Sequence, residues 1–131
     1  MNEKELKKRL FLTKLIIGDI KKTISNFFIK YKPSPIGCIF FDLDFYSSTK
    51  ESFKIFNTNE KYFLPRAICY FDDIQHYVNK YNGPLLAINE FNDEHEHQKI
   101  AQDEGGILNY KFGCRADCVL IHHYFNHSKY N

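Results

Sequence analysis

The chain has 131 residues, 44% hydrophobic and 26% charged, with a mean hydropathy of −0.45, which is the size and balance of a single globular domain spanning 1–131 and excludes a fibrous or multidomain protein. Eighteen Lys and Arg against sixteen Asp and Glu leave +2, too even for a nucleic-acid or membrane footprint, which needs basic residues in local excess. No apolar run reaches the ~20 residues of a bilayer-spanning helix, and the charged start MNEKELKKRL lacks the apolar stretch of a signal peptide, so a cytoplasmic protein is expected.

Leu6, Leu10 and Phe11 lie at helical spacing among charges, predicting an amphipathic helix over Glu3 to Leu12. Leu15 to Gly18 is a short apolar run closed by Gly18 and Asp19, which predicts a buried strand. Ile20, Ile24, Phe27 and Phe28 return to helical spacing up to Tyr31, where KPSP breaks the pattern. The uninterrupted IGCIFF, Ile36 to Phe41, predicts a central parallel strand covered on both faces and ending at Asp42. Ser47, Ser48 or Thr49 is expected to cap the next helix, which carries Phe53, Ile55 and Phe56. A connector with Asn57, Asn59 and Pro65 leads to a second buried strand, Ala67 to Phe71, again closed by acids, Asp72 and Asp73.

After the polar insert Gln75 to Asn82, Gly83-Pro84 opens a helix through Leu85, Leu86, Ile88, Asn89 and Phe91. The stretch Asp93 to Lys99 reads as a solvated helical face or loop, and Gly105-Gly106 ends the region. Ile107 to Phe112 and Val119 to Phe125 are two further expected strands, antiparallel neighbours joined near Gly113. Strands alternating with helices imply an α/β fold with a mainly parallel sheet.

Cys38 and Cys69 lie mid-strand, so both are expected to be buried and reduced. Cys114 and Cys118 form a C-x3-C pair close to His122 and His123, but no second pair repeats the pattern and a zinc site is not expected.

Ligands of open α/β sheets gather at the carboxyl ends of parallel strands. Three such ends here are acidic: Asp19, then Asp42 with Asp44, then Asp72 with Asp73. Carboxylates gathered at adjacent strand mouths repel one another, and a divalent cation such as Mg2+ relieves that repulsion. Asp is also favoured at helix starts, so spacing alone leaves capping open beside metal binding. FFDLD superficially fits the D-x-D of a haloacid-dehalogenase-like, metal-dependent phosphohydrolase. The downstream hydroxyl and lysine of that chemistry do not follow in order, and the chain has no room for its lid.

PIGCIFFDLDFYSSTKESFKIF, then LPRAICYFDDI, then GPLLAINEFN resemble the second half of a class I S-adenosylmethionine-dependent methyltransferase, close to the macrocin O-methyltransferase group. The matching positions are Asp42, Asp44, Tyr46, Ser48 and Thr49; then Asp72 and Asp73; then Ala87, Glu90 and Phe91, and the resemblance covers about residues 3 to 131. It implies a Rossmann-like fold of strand order 3-2-1-4-5-7-6, entered here at the third strand, so that the fold is incomplete and lacks the first two. It also implies S-adenosylmethionine as cofactor, with Asp19 approaching its adenine, and Mg2+ or a similar cation on Asp42, Asp72 and Asp73.

In the metal-dependent relatives that cation holds the acceptor hydroxyl, of a sugar or another small molecule, and lowers its pKa. Asp44, Tyr46 and His76 are near enough in sequence to line the acceptor pocket, with capping or packing as their other use. The family's glycine-rich turn and the acid after its second strand have no counterpart: the six glycines are scattered and no G-x-G occurs. The chain is accordingly expected to be the carboxyl-terminal part of such an enzyme, inactive alone, or else a non-catalytic assembly module. Its expected partner is a second copy, giving a homodimer, or a complementary chain, with neither nucleic acid nor membrane as partner. With two strands missing, the strand at Leu15 to Gly18 is expected to close up against Ile36 to Phe41, or another chain to supply that edge.

Overall fold

The computed structural model describes residues 3–10, 12–74, 81–102 and 118–131. Its first helix, α1 (Glu3–Arg9), has acids in its first turn and bases in its last, and it buries no residue. That charge order opposes the helix dipole favourably, and the Glu3–Lys7 and Glu5–Arg9 pairs add i,i+4 support. The helix stops at Arg9, short of the expected Leu12.

Leu15 to Gly18 is not a strand, correcting the sequence expectation. An apolar run becomes a strand only with a neighbour to take its backbone hydrogen bonds, and no strand among the described residues lies beside it. Gly18, at φ 152°, turns the chain instead, and a Cβ there would meet the Thr23 methyl at 2.9 Å. The helix expected from Ile20 to Tyr31 is split into α2 (Ile20–Thr23) and α3 (Phe27–Tyr31). Thr23 and Ser25 turn their hydroxyls back onto the carbonyls of Asp19 and Lys21, a local bond that competes with helix continuation. Lys32, in the left-handed region at φ 45°, closes α3 ahead of Pro33 and Pro35.

Strand β1 (Ile36–Phe41) is followed by α4 (Tyr46–Ser52) and a 3-10 turn at Phe53–Phe56. None of the expected hydroxyl caps is used: Phe45 is the N-cap and offers no side-chain bond, while Thr49 is buried and donates to the Phe45 carbonyl at 3.0 Å. A second 3-10 turn, Glu60–Tyr62, leads into β2 (Phe63–Phe71), which starts four residues before the expected Ala67. Pro65 falls where the β1–β2 register shifts, between the pairs Ile36–Phe63 and Cys38–Ile68, and an irregular stretch is where a strand tolerates proline.

Helix α5 (Gly83–Glu94) starts with Pro84 in its first turn, as the sequence predicts. Strand β3 (Gln98–Gln102) replaces the solvated face or loop expected up to Lys99, and β4 (Val119–Tyr124) matches the last expected strand. The expected strand Ile107 to Phe112, its Gly113 joint and Cys114 lie outside the described residues.

The fold is mixed α/β, with a four-stranded mixed sheet of order β1-β2-β4-β3 among the described residues. β1 and β2 are parallel, while β4 runs antiparallel to both of its neighbours, β2 and β3. The side chains of Phe41, Phe63, Cys69, Phe71, Ile100, Leu120 and His122 form one core with Phe53 and Phe56 of the 3-10 turn and Phe91 of α5.

The opposite sheet face is less covered. Phe40 is 73% exposed and touches Tyr70 ring to ring at 5.6 Å, and Cys38 is exposed. Among the described residues β1 is an edge strand, exposed on one face at Cys38 and Phe40 rather than doubly covered, and the expected burial of Cys38 is corrected. Cys69 is buried as expected, and burial pushes its thiol up to about 12. Among the described residues no helix is long and apolar enough to cross a membrane.

Candidate metal centre

β1 and β2 lie side by side and run the same way, so their carboxyl ends open together. The Asp72 amide continues the pairing past the strand end by donating to the Phe41 carbonyl at 3.2 Å. Asp42 is thereby brought against the Asp72–Asp73 turn. One carboxylate oxygen from each of Asp42, Asp72 and Asp73 lies within 4.8 Å of the other two. Asp42 and Asp72 are exposed and Asp73 is half-buried, so solvent reaches the cluster. The Tyr70 hydroxyl donates to Asp72 Oδ1 at 3.1 Å and holds that carboxylate at the strand end.

Three carboxylates with open access are a hard, all-oxygen donor set. It suits Mg2+, Ca2+ or Mn2+, whose remaining positions water fills, and does not suit the thiolate- and imidazole-preferring ions. The fit rests on like charges held together at a fixed strand junction, where a cation offsets a repulsion the fold imposes.

Of the other residues singled out from the sequence, Asp19 and Tyr46 are engaged by neighbours within the fold. Asp44 is exposed in the loop before α4 and is not part of the three-carboxylate group. Asp19 is the N-cap of α2, its Oδ1 accepting from the Lys21 amide at 3.0 Å, which is the capping use the sequence left open. His76 lies outside the described residues.

Tyr46 is engaged by α5. Its hydroxyl donates to Glu90 Oε2 at 2.6 Å, and Lys50 Nζ reaches the same oxygen at 2.6 Å. The Glu90 carboxylate raises the phenol and, through its bond to Lys50, raises that ammonium as well; Lys50 and then Tyr46 hold Glu90 low. At neutral pH the trio is a neutral phenol, a cation and an anion, so neither Tyr46 nor Lys50 is a ready base. Glu90 was legible as part of a motif, whereas Lys50 gave no signal beyond lying four residues after Tyr46 on one helical face.

Beside Asp42 a groove of ≈ 250 Å³ runs between β1 and α2, lined by Ile20, Ile24, Ile39, Phe40, Leu43 and Ile55 among others. His122 and His123 are consecutive on β4 and so project to opposite faces of the sheet. His122 is fully buried, stacked on Phe56 at 4.0 Å and bonded through Nε2 to Gln98 Oε1 at 2.9 Å, while His123 Nδ1 meets the Tyr130 hydroxyl at 2.7 Å. Compared with known proteins, the chain matches no family model, no curated protein and no solved structure.

Proposed function

We propose that the chain is the cation- and acceptor-binding part of an S-adenosylmethionine-dependent O-methyltransferase-like fold, in which Asp42, Asp72 and Asp73 hold a divalent cation that binds a hydroxyl-bearing small molecule such as a sugar. The observation that carries this reading is the meeting of the three carboxylates at the mouths of two adjacent parallel strands. The strand order supports it: among the described residues β1-β2-β4-β3, with the last strand in sequence inserted between the second and third, is compatible with the 4-5-7-6 part of the order that the resemblance implies.

The cation supplies a Lewis acid that lowers the pKa of the acceptor hydroxyl. Tyr70 steadies Asp72, and the Tyr46–Glu90–Lys50 contacts fix α4, which follows Asp42 and Asp44, against α5. Asp19 caps its own helix, and the sequence has no G-x-G turn to hold the cofactor.

Water-proton relaxation with Mn2+ bound to the chain tests the acceptor role. A vicinal diol is expected to displace cation-bound water and lower the relaxation enhancement saturably. Wild-type protein whose bound Mn2+ keeps its full enhancement at high diol concentration would speak against it.

A further inference from the structure

β1 has β2 on one side and, among the described residues, no strand on the other. Natural edge strands are protected by charges, proline or bulges, yet Ile36–Phe41 carries no charge and no proline, and its register irregularity is confined to its start. Apolar surface flanks this edge: Phe40 is 73% exposed, and with Ile20, Ile24, Ile39 and Leu43 it lines the groove beside the strand.

Charge selects the occupant. The chain enters β1 past exposed Lys30 and Lys32 and leaves it through exposed Asp42 and Asp44. A second copy laid antiparallel sets each cationic entry beside an acidic exit, whereas a parallel copy sets like beside like.

We propose that β1 pairs antiparallel with β1 of a second copy about a two-fold axis perpendicular to the sheet, making one sheet continuous across a homodimer. Residues directly opposite in an antiparallel pair share a face, and the two-fold passes through an identical pair. Centring it on Cys38 sets Ile36 against Phe40 of the second copy and brings Lys32 toward its Asp44. This register joins the apolar pairs and the charge pairs at once. Such a dimer is isologous and closed, so it caps the edge instead of propagating a filament.

Sedimentation equilibrium of the full chain in EDTA, which keeps the result independent of the cation cluster, is expected to give twice the 15.6 kDa chain mass. A short bismaleimide is expected to cross-link the dimer through Cys38 and to fail in Cys38→Ser. Asp44→Lys or Lys32→Asp alone is expected to weaken association about tenfold or more, and the double exchange to restore most of it. A chain that stays monomeric at about 100 μM overturns the proposal and assigns the edge to an unlike chain. A dimer indifferent to both exchanges and not linked through Cys38 overturns it equally, because the contact then lies elsewhere.

Discussion

Phe56→Ala is expected to lower the free energy of unfolding by about 3–5 kcal/mol, a large share of the ~5–15 kcal/mol that holds a domain together. The ring is 0% exposed and sits where the elements meet: it touches Phe41 of β1, Phe63 of β2, Phe91 of α5 and Phe53 of its own turn, and stacks on His122 of β4. Truncation removes the transfer energy of the ring and leaves a cavity that these rigid aromatic neighbours fill poorly. Urea denaturation at constant m-value measures it, and a loss under about 1 kcal/mol would mean that the core can collapse around the gap.

Stability is expected to fall on mild acidification because of the same cluster. Burial, with the neighbouring His123 and His95 as smaller causes, pushes His122 down to about 3 from the ordinary 6.5. Its Nδ1 has no hydrogen-bond partner among the described residues, so an added proton finds no acceptor there.

Between those two values the unfolded chain binds the proton and the folded chain does not. The contribution is therefore complete above about pH 6.5 and is lost progressively as pH falls toward 3. Between pH 7.5 and 5 the histidine alone accounts for about 2 kcal/mol. His122→Phe keeps the stacking on Phe56 and removes the titration, so its stability should fall less than wild type over that interval. Equal pH slopes for the two proteins would show that His122 takes its proton while folded.

β1 and the carboxyl half of β2 were legible because an apolar run closed by acids has few alternatives once it is too short for a helix. The meeting of Asp42 with Asp72 and Asp73 followed from placing those two strands side by side. Leu15 to Gly18 has the same apolar look and forms no strand, since strand character there depended on a neighbour and not on the run itself.

β3 shows the converse. Gln98–Gln102 buries one apolar side chain, Ile100, and owes its conformation to pairing with β4, which no local pattern announces. The capping use of Asp19 was one of two readings its position allowed. The engagement of Tyr46 by Glu90, 44 residues away, was not readable from spacing at all. Polar groups at strand ends could be located from the sequence, but their partners were set by how α4 and α5 pack.

Calorimetric titration of Mg2+ into the folded chain at pH 7, repeated with Ca2+, tests the cation centre most directly. Saturable binding of one ion per chain is expected, weakened about tenfold or more by Asp42→Asn or Asp72→Asn and little changed by Asp44→Asn, whose carboxylate is not part of the cluster. Absence of saturable heat with either ion up to about 20 mM, or unchanged binding in Asp72→Asn, would contradict the centre and leave the three aspartates as strand-end turn residues.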